Sequence, residues 1–302
     1  MTATRRGWPL AAIAISVVLW STAFALSSVV LDTSSPAVLS VGRFLIALAV
    51  LVPLAARRTG FVRTLRSPRT VVLGLTGVTF YYSLTNIGLL FTSPGTVALS
   101  NALLPVFTTV LAVLILRERP PLRTIVGLVL ATAGVALVAA AGLSFDAGIL
   151  LVALGLASYA LYTVLLKRDA NRHGSSDPVV LATATAVWGT VLMLPWLLVE
   201  GISGAARLPH GAPGILSLLF LGLVVSAPTL VLFNYGAERL PAAISGIATA
   251  GIPALGYAFA ILLGEVPVLI KVIGGVIALA GIVIATLASP TATEVPARHD
   301  PP

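Results

Sequence analysis

Arg43 is the one charged side chain set well inside an apolar run of this chain. It lies seven residues past Pro36, so on a helix rising 1.5 Å per residue it would sit about 10 Å below the nearer end. A guanidinium at that depth of a membrane costs several kcal/mol unless it meets water or a partner. Either it faces a cavity and holds an anionic group such as a carboxylate, or it is structural, reaching outward or pairing with Asp32 or Glu265. Asn86, Asn101 and Asn234 also interrupt apolar runs. Each either hydrogen-bonds a bound molecule or joins two helices, the latter worth about 1 kcal/mol. Asn86 and Asn234 stand at matching places in two similar stretches, which favours a shared structural job. Asn101 faces Ala248 in the same matching, which makes it the better candidate ligand.

Aromatic residues supply the second kind of chemistry. Trp20 and Phe24 are spaced i, i+4, and Tyr159 and Tyr162 i, i+3, so each pair shares one helix face. With Tyr81, Tyr82, Trp188 and Tyr257 they would wall a pocket suited to apolar or aromatic small molecules. Ordinary packing and an interfacial belt use the same residue types. Pro105 and Pro253 fall near the middle of apolar runs, where each removes a backbone hydrogen bond and makes either a hinge or a fixed bend. Cysteine is absent, and His173, His210 and His299 have no ligand spacing, so no metal and no cofactor are implied. A membrane enzyme would need clustered His, Asp or Glu within the apolar runs, and none is present.

The elements that must position these residues are set by composition. Of 302 residues, 58% are hydrophobic and 9% charged, and mean hydropathy is +1.07. A soluble domain carries roughly 25% charged residues. Several apolar blocks reach the 18 or more residues that cross a bilayer core. The chain therefore reads as an all-α integral membrane protein with ten transmembrane helices, near 9–31, 36–56, 70–91, 94–116, 123–143, 146–166, 178–199, 213–235, 240–263 and 268–288. The first run follows Arg5 and Arg6 as a secretory leader would, but it continues past Ala25 to Leu31, long enough to span. The pI near 10.6 reflects basic residues in short loops, with no basic stripe of the sort that grips nucleic acid. Residues 289–302 are polar and Pro-rich, which predicts disorder.

Lys and Arg are distributed unevenly. With the N-terminal residues 1–8 cytoplasmic, fifteen of them fall in inner segments and only Arg207 and Lys271 in outer ones. That asymmetry sets both termini on the cytoplasmic side. The stretch from Leu116 to Gly134 is also written a second time. Glu118, Pro120, Gly127 and Gly134 recur as Glu265, Pro267, Gly274 and Gly281, each shifted by 147. Asn86-Ile87-Gly88 is echoed by Asn234-Tyr235-Gly236, Pro36 by Pro178 and Pro53 by Pro195. Five spans is an odd number, so two such copies, 9–143 and 146–288, enter the membrane from opposite sides. Inverted halves can exchange conformations, opening a midplane site first to one side and then to the other. The two glycine pairs make small faces on the fifth and tenth spans, to pack the halves together or to support a homodimer. Glu118 and Glu265 read as caps or loop ion pairs, Glu265 alternatively as a proton-coupling group.

Trp20-Ser21, Arg43-Phe44, Asn86-Ile87-Gly88 ahead of Ser93-Pro94, and Leu116-Arg-Glu-Arg-Pro with its trailing glycines resemble the drug/metabolite transporter superfamily, EamA type, over nearly all of residues 8–288. The resemblance implies a ten-helix inner-membrane carrier in which spans 1–4 and 6–9 surround a cavity and spans 5 and 10 lie to one side. It places the aromatic residues, Arg43 and the asparagines in cavity-forming spans. It implies transport of a small-molecule substrate, with export of amino acids or related metabolites the first expectation. A proton-coupled multidrug carrier and an uptake permease are the alternatives. The first span lacks the buried carboxylate on which small cation exporters of the superfamily rely.

Overall fold

The computed structural model describes residues 4–140, 147–242, 244–245, 249 and 251–287. Among these every regular element is helical. In chain order they are α1 (Thr4–Leu31), α2 (Pro36–Ala56), α3 (Phe61–Leu65), α4 (Pro68–Gly74), a π-helical turn Leu75–Phe80, α5 (Tyr81–Gly88), α6 (Pro94–Ser100) and α7 (Leu103–Leu111), which runs into a second π turn, Ala112–Leu116. There follow α8 (Leu122–Ala139), α9 (Ala147–His173), α10 (Pro178–Ile202), α11 (Gly211–Phe220), a third π turn Leu221–Ser226, α12 (Ala227–Arg239), α13 (Gly251–Leu262) and α14 (Leu269–Leu287). The expected polar tail, 289–302, lies outside the described residues.

Four helices open on the same local device, a Ser or Asp followed by Pro: Ser35-Pro36, Ser67-Pro68, Ser93-Pro94 and Asp177-Pro178. Proline fixes the helical φ, and its missing N–H is not needed in the first turn. Ser93 Oγ accepts from Thr96 N at 3.2 Å, and Asp177 Oδ1 from Val179 N at 2.9 Å and Val180 N at 3.2 Å. Partial burial works against the charge on Asp177. The hydrogen bond from Arg58 at 2.7 Å and those two amides outweigh it and hold the carboxyl below its usual range.

Among the described residues seven helices are long and apolar enough to cross a bilayer. Two shorter apolar helices, Gly251–Leu262 and Leu269–Ala285, follow, and the unbroken helical run 68–88 has the length but more hydroxyl and amide groups. Large apolar side chains cover the outside, Leu114 at 70% and Val129 at 63% exposure among them. Only a hydrocarbon surround makes such a surface favourable. This is a multi-pass membrane protein.

The first helix of each expected half packs mainly on the other half. α1 lies against α11, α12 and α13, and α9 against α5, α7 and the π turn Leu75–Phe80. The most extensive helix pair is α8 with α14. A Cβ on Gly134 would come within 2.5 Å of the Gly274 carbonyl oxygen, and one on Gly274 within 2.7 Å of the Gly134 carbonyl. Gly127 and Gly281 block each other in the same way. These small faces therefore meet each other inside the chain, the first of the two roles expected of them, packing the halves together. Gly134→Val should cost about 1–3 kcal/mol through overpacking and lower the thermal midpoint in detergent. Val129→Ala, on the exposed side of α8, should leave that midpoint nearly unchanged.

Candidate functional site

Seven aromatic rings from five helices form one continuous cluster at the centre of the bundle. Phe44 of α2 meets Tyr82 of α5 at 4.7 Å between centroids, Tyr82 meets Tyr81 at 4.8 Å, and Tyr81 meets Tyr159 of α9 at 4.8 Å. Tyr159 then contacts Tyr162 at 5.2 Å, Trp20 of α1 at 5.7 Å and Phe233 of α12 at 5.4 Å, and Trp20 and Phe233 are 5.0 Å apart. Each such pair adds about 0.5–1.5 kcal/mol beyond area burial. Trp20 and Tyr159 thus bring the first helix of each expected half into edge-to-face contact.

Beside this cluster lies a cleft lined by Trp20, Ala23, Phe24, Ser27, Arg43, Tyr81, Tyr82, Thr85 and Asn86. It is shut down to a volume of about 10 Å³, room for a single water at most. Arg43 is 2% exposed. Its Nε donates to Ser226 Oγ at 2.9 Å, and its guanidinium carbon stands 4.6 Å from the centre of the Tyr82 ring and 5.9 Å from that of Phe44. Such cation–π contacts are strongest when desolvated. Nη2 has no hydrogen-bond partner. Among the described residues no carboxylate is within ion-pair distance of Arg43, so neither Asp32 nor Glu265 is its partner. Thr85 Oγ1 is likewise unpaired, and Trp20 Nε1 has no hydrogen bond of good geometry, the Tyr82 phenol being its polar neighbour.

Other expected residues have structural partners. Asn86 Nδ2 donates to Ser40 Oγ at 2.8 Å, tying α5 to α2 at the edge of the cleft. Asn234 Oδ1 accepts from the Tyr162 hydroxyl, while its Nδ2 is buried and unpaired. Asn101 sits in the two-residue break between α6 and α7. Its Nδ2 donates back to Val97 O at 2.8 Å, leaving Oδ1 unpaired, and it does not line the cleft. Trp188 is also elsewhere, its Nε1 donating to Leu65 O at 2.6 Å. Tyr257 packs with Leu99 and Val138, and its hydroxyl accepts from Val268 N at 3.2 Å. Pro105 is the third residue of α7, in its first turn just after the break, and Pro253 is the third residue of α13.

Two glutamates end the fourth and ninth expected spans and each grips the opposite half. Glu118 Oε1 accepts from Ala242 N at 3.3 Å. Glu265 accepts from Gly95 N at 2.7 Å and from Ser93 Oγ at 2.6 Å, and pairs with Lys271 Nζ at 3.1 Å. The Glu265 carboxylate thus meets an amide in the first turn of α6, where the helix dipole favours negative charge.

Sequence inspection missed Ser226, Phe233 and the π turns. Two of these turns stand at corresponding places, Leu75–Phe80 just before Tyr81 and Leu221–Ser226 ending on the residue that holds Arg43. The extra residue in a π turn re-aims the side chains that follow it. No residue type marks such a turn, so the sequence carries no sign of it.

The chain resembles known proteins over nearly its full length. A relative from Streptantibioticus cattleyicolor, described as a probable terminal-alkyne amino-acid exporter, is 31% identical across 90% of this chain and 91% of its own. An uncharacterized transporter of Archaeoglobus fulgidus is 27% identical across 90% and 96%. The uncharacterized transporter YdfC of Bacillus subtilis is 28% identical across 87% and 86%. A solved structure 22% identical to the chain covers 93% of it and 97% of its own length with a TM-score of 0.72, so the two share a fold. The model of the EamA-like transporter family matches twice, at residues 7–140 and 146–287. A helical bundle in lipid, an enclosed cleft holding a buried cation, and these two matches lead to one statement: the chain belongs to the EamA-like transporter family.

Proposed function

We propose that the protein exports small metabolites, amino acids or related compounds, by alternating access across the bacterial inner membrane. In this reading ten spans form two inverted five-helix repeats, 9–143 and 146–288, with both termini cytoplasmic. The observation that carries the substrate class is Arg43, whose Nη2 is unpaired in a cleft it shares with four aromatic rings, Trp20, Phe24, Tyr81 and Tyr82. A carboxylate is the natural acceptor for a guanidinium, with charge-assisted bonds about twice as strong as neutral ones. The neighbouring rings would receive an apolar side chain. No carboxylate among the described residues lines the cleft, which speaks against organic cations and the multidrug alternative. The Streptantibioticus relative is named for a terminal-alkyne amino acid, and a compound of that kind carries a carboxylate for Arg43 and an unsaturated end for the rings.

Reciprocal contacts support the repeat. Glu118 grips Ala242 and Glu265 grips Gly95, and a shift of 147 turns the first pair of residues into the second. The same shift turns the Gly127–Gly281 contact into Gly274–Gly134. Mapping contact onto contact in this way is how a twofold axis between halves behaves. With both carboxylate clasps made and the cleft shut, the conformation suits an occluded intermediate, from which one clasp at a time would release.

Purified protein in liposomes provides the test. Preloaded apolar amino acids should drive saturable counterflow, and the matching decarboxylated amines should neither compete nor exchange. Equal exchange of amines would refute the carboxylate reading. Repeating the assay across a pH gradient separates proton antiport from facilitated diffusion.

A further inference from the structure

A second cavity, of about 270 Å³, lies apart from the central cleft, between α4 and the last turns of α9. One side is basic, with Arg69, Arg168, Arg172 and His173, and the other is aliphatic, with Val72, Leu73 and Leu165. Among the described residues Asp169 is the single acid in its wall. That carboxylate is already engaged by Arg69 Nη1 at 3.0 Å and His173 Nδ1 at 3.1 Å. Arg168 and Arg172 have no carboxylate partner among the described residues. With His173 neutral, three arginines against one aspartate leave a net charge of +2. Val72 is 45% exposed, so the aliphatic wall continues onto the lipid-facing surface of the bundle.

We propose that this cavity binds the phosphate of an anionic phospholipid, with the acyl chains lying along Val72. Arginine is the residue best shaped for a phosphate, through two parallel N–H donors. Basic pockets between spans are the setting in which anionic headgroups are held specifically. A soluble phosphate would use the arginines but would gain nothing from the aliphatic wall. The need to orient the chain does not account for the cavity either. Arg57 and Arg63 are exposed and serve orientation equally well without lining it.

The test uses the full-length protein in detergent with added phosphatidylglycerol, phosphatidylcholine or inorganic phosphate. Phosphatidylglycerol should raise the thermal midpoint by about 3 °C more than phosphatidylcholine, and inorganic phosphate should do nothing. Arg168→Gln with Arg172→Gln should remove that difference, whereas Arg57→Gln with Arg63→Gln, an equal loss of charge, should keep it. Native mass spectrometry of the wild-type protein gives an independent reading, with phosphatidylglycerol retained in preference to phosphatidylcholine. Equal stabilisation by the two lipids, equal loss in both double variants, or stabilisation by inorganic phosphate alone would each overturn the proposal. None of these outcomes depends on whether amino acids are the transported solute.

Discussion

Arg43→Met is expected to lower the transport of carboxylate substrates by about 10–100-fold while the protein still reaches the membrane at its normal level. The range follows from a charge-assisted hydrogen bond worth about 1.5–3 kcal/mol, with each 1.4 kcal/mol a factor of ten. Methionine fills most of the arginine's volume without its charge, so this variant separates two roles. If Arg43 serves only to hold α2 against Ser226, its loss should leave transport of the folded fraction intact and reduce the amount of folded protein. If it serves a solute, stability should hold or rise, because a buried guanidinium with no counter-charge and Nη2 unpaired is itself costly, and transport alone should fall. Arg43→Lys keeps the charge but loses the planar fork that also faces Tyr82, and should retain only part of the activity. Liposome counterflow with immunoblotting of membranes measures both quantities. Full transport by Arg43→Met would remove Arg43 from the site.

The second large effect concerns the two carboxylate clasps. Glu265→Gln weakens bonds to Gly95 N and Ser93 Oγ and abolishes the ion pair with Lys271, so under the proposed alternating access the mouth at that end should open more often. Glu118→Gln should do the same at the other end, by a smaller factor, since its bond to Ala242 N is longer, at 3.3 Å against 2.7 Å. A loss of about 1.4 kcal/mol at Glu265 shifts the balance of states about tenfold. The chain has no cysteine, so Ser27→Cys in the cleft introduces one thiol without prior engineering. Its labelling by a membrane-impermeant maleimide applied from the Glu265 side should rise in Glu265→Gln and fall in Glu118→Gln. Changes of the same sign in both variants, or none, would mean the glutamates only cap helices.

What the sequence made legible follows from how local each signal is. Helix starts at Pro36, Pro94 and Pro178 were readable because proline's constraint acts within one turn. The depth of Arg43 was readable because a charge in an apolar run needs no partner to be noticed, but its partner Ser226 lies 183 residues away. Trp188 and Tyr257 were grouped with the cleft because they belong to the right helices. Which face of a helix points inward depends on its neighbours, and these two face elsewhere. The glycines of α8 and α14 were readable as small faces, whereas their mutual contact depends on how the two ends of the chain come together. The break at Asn101 lies a helical turn before Pro105, close to where the proline removes a backbone bond, though the sequence alone did not separate hinge from bend.

The crossing of α8 and α14 bears on how the molecule moves. Where Gly127, Gly134, Gly274 and Gly281 meet, carbonyl oxygens occupy the space that side chains would otherwise take. Two rods that touch at their backbones in two places, seven residues and so about 10 Å apart, with Ala131 and Val135 packed on Ala278 and Ile282 between them, have no slack for sliding or for turning across each other. A motion that carries a solute through the bundle would therefore take this pair along as one stiff body, and the travel would fall to the helices that line the cleft.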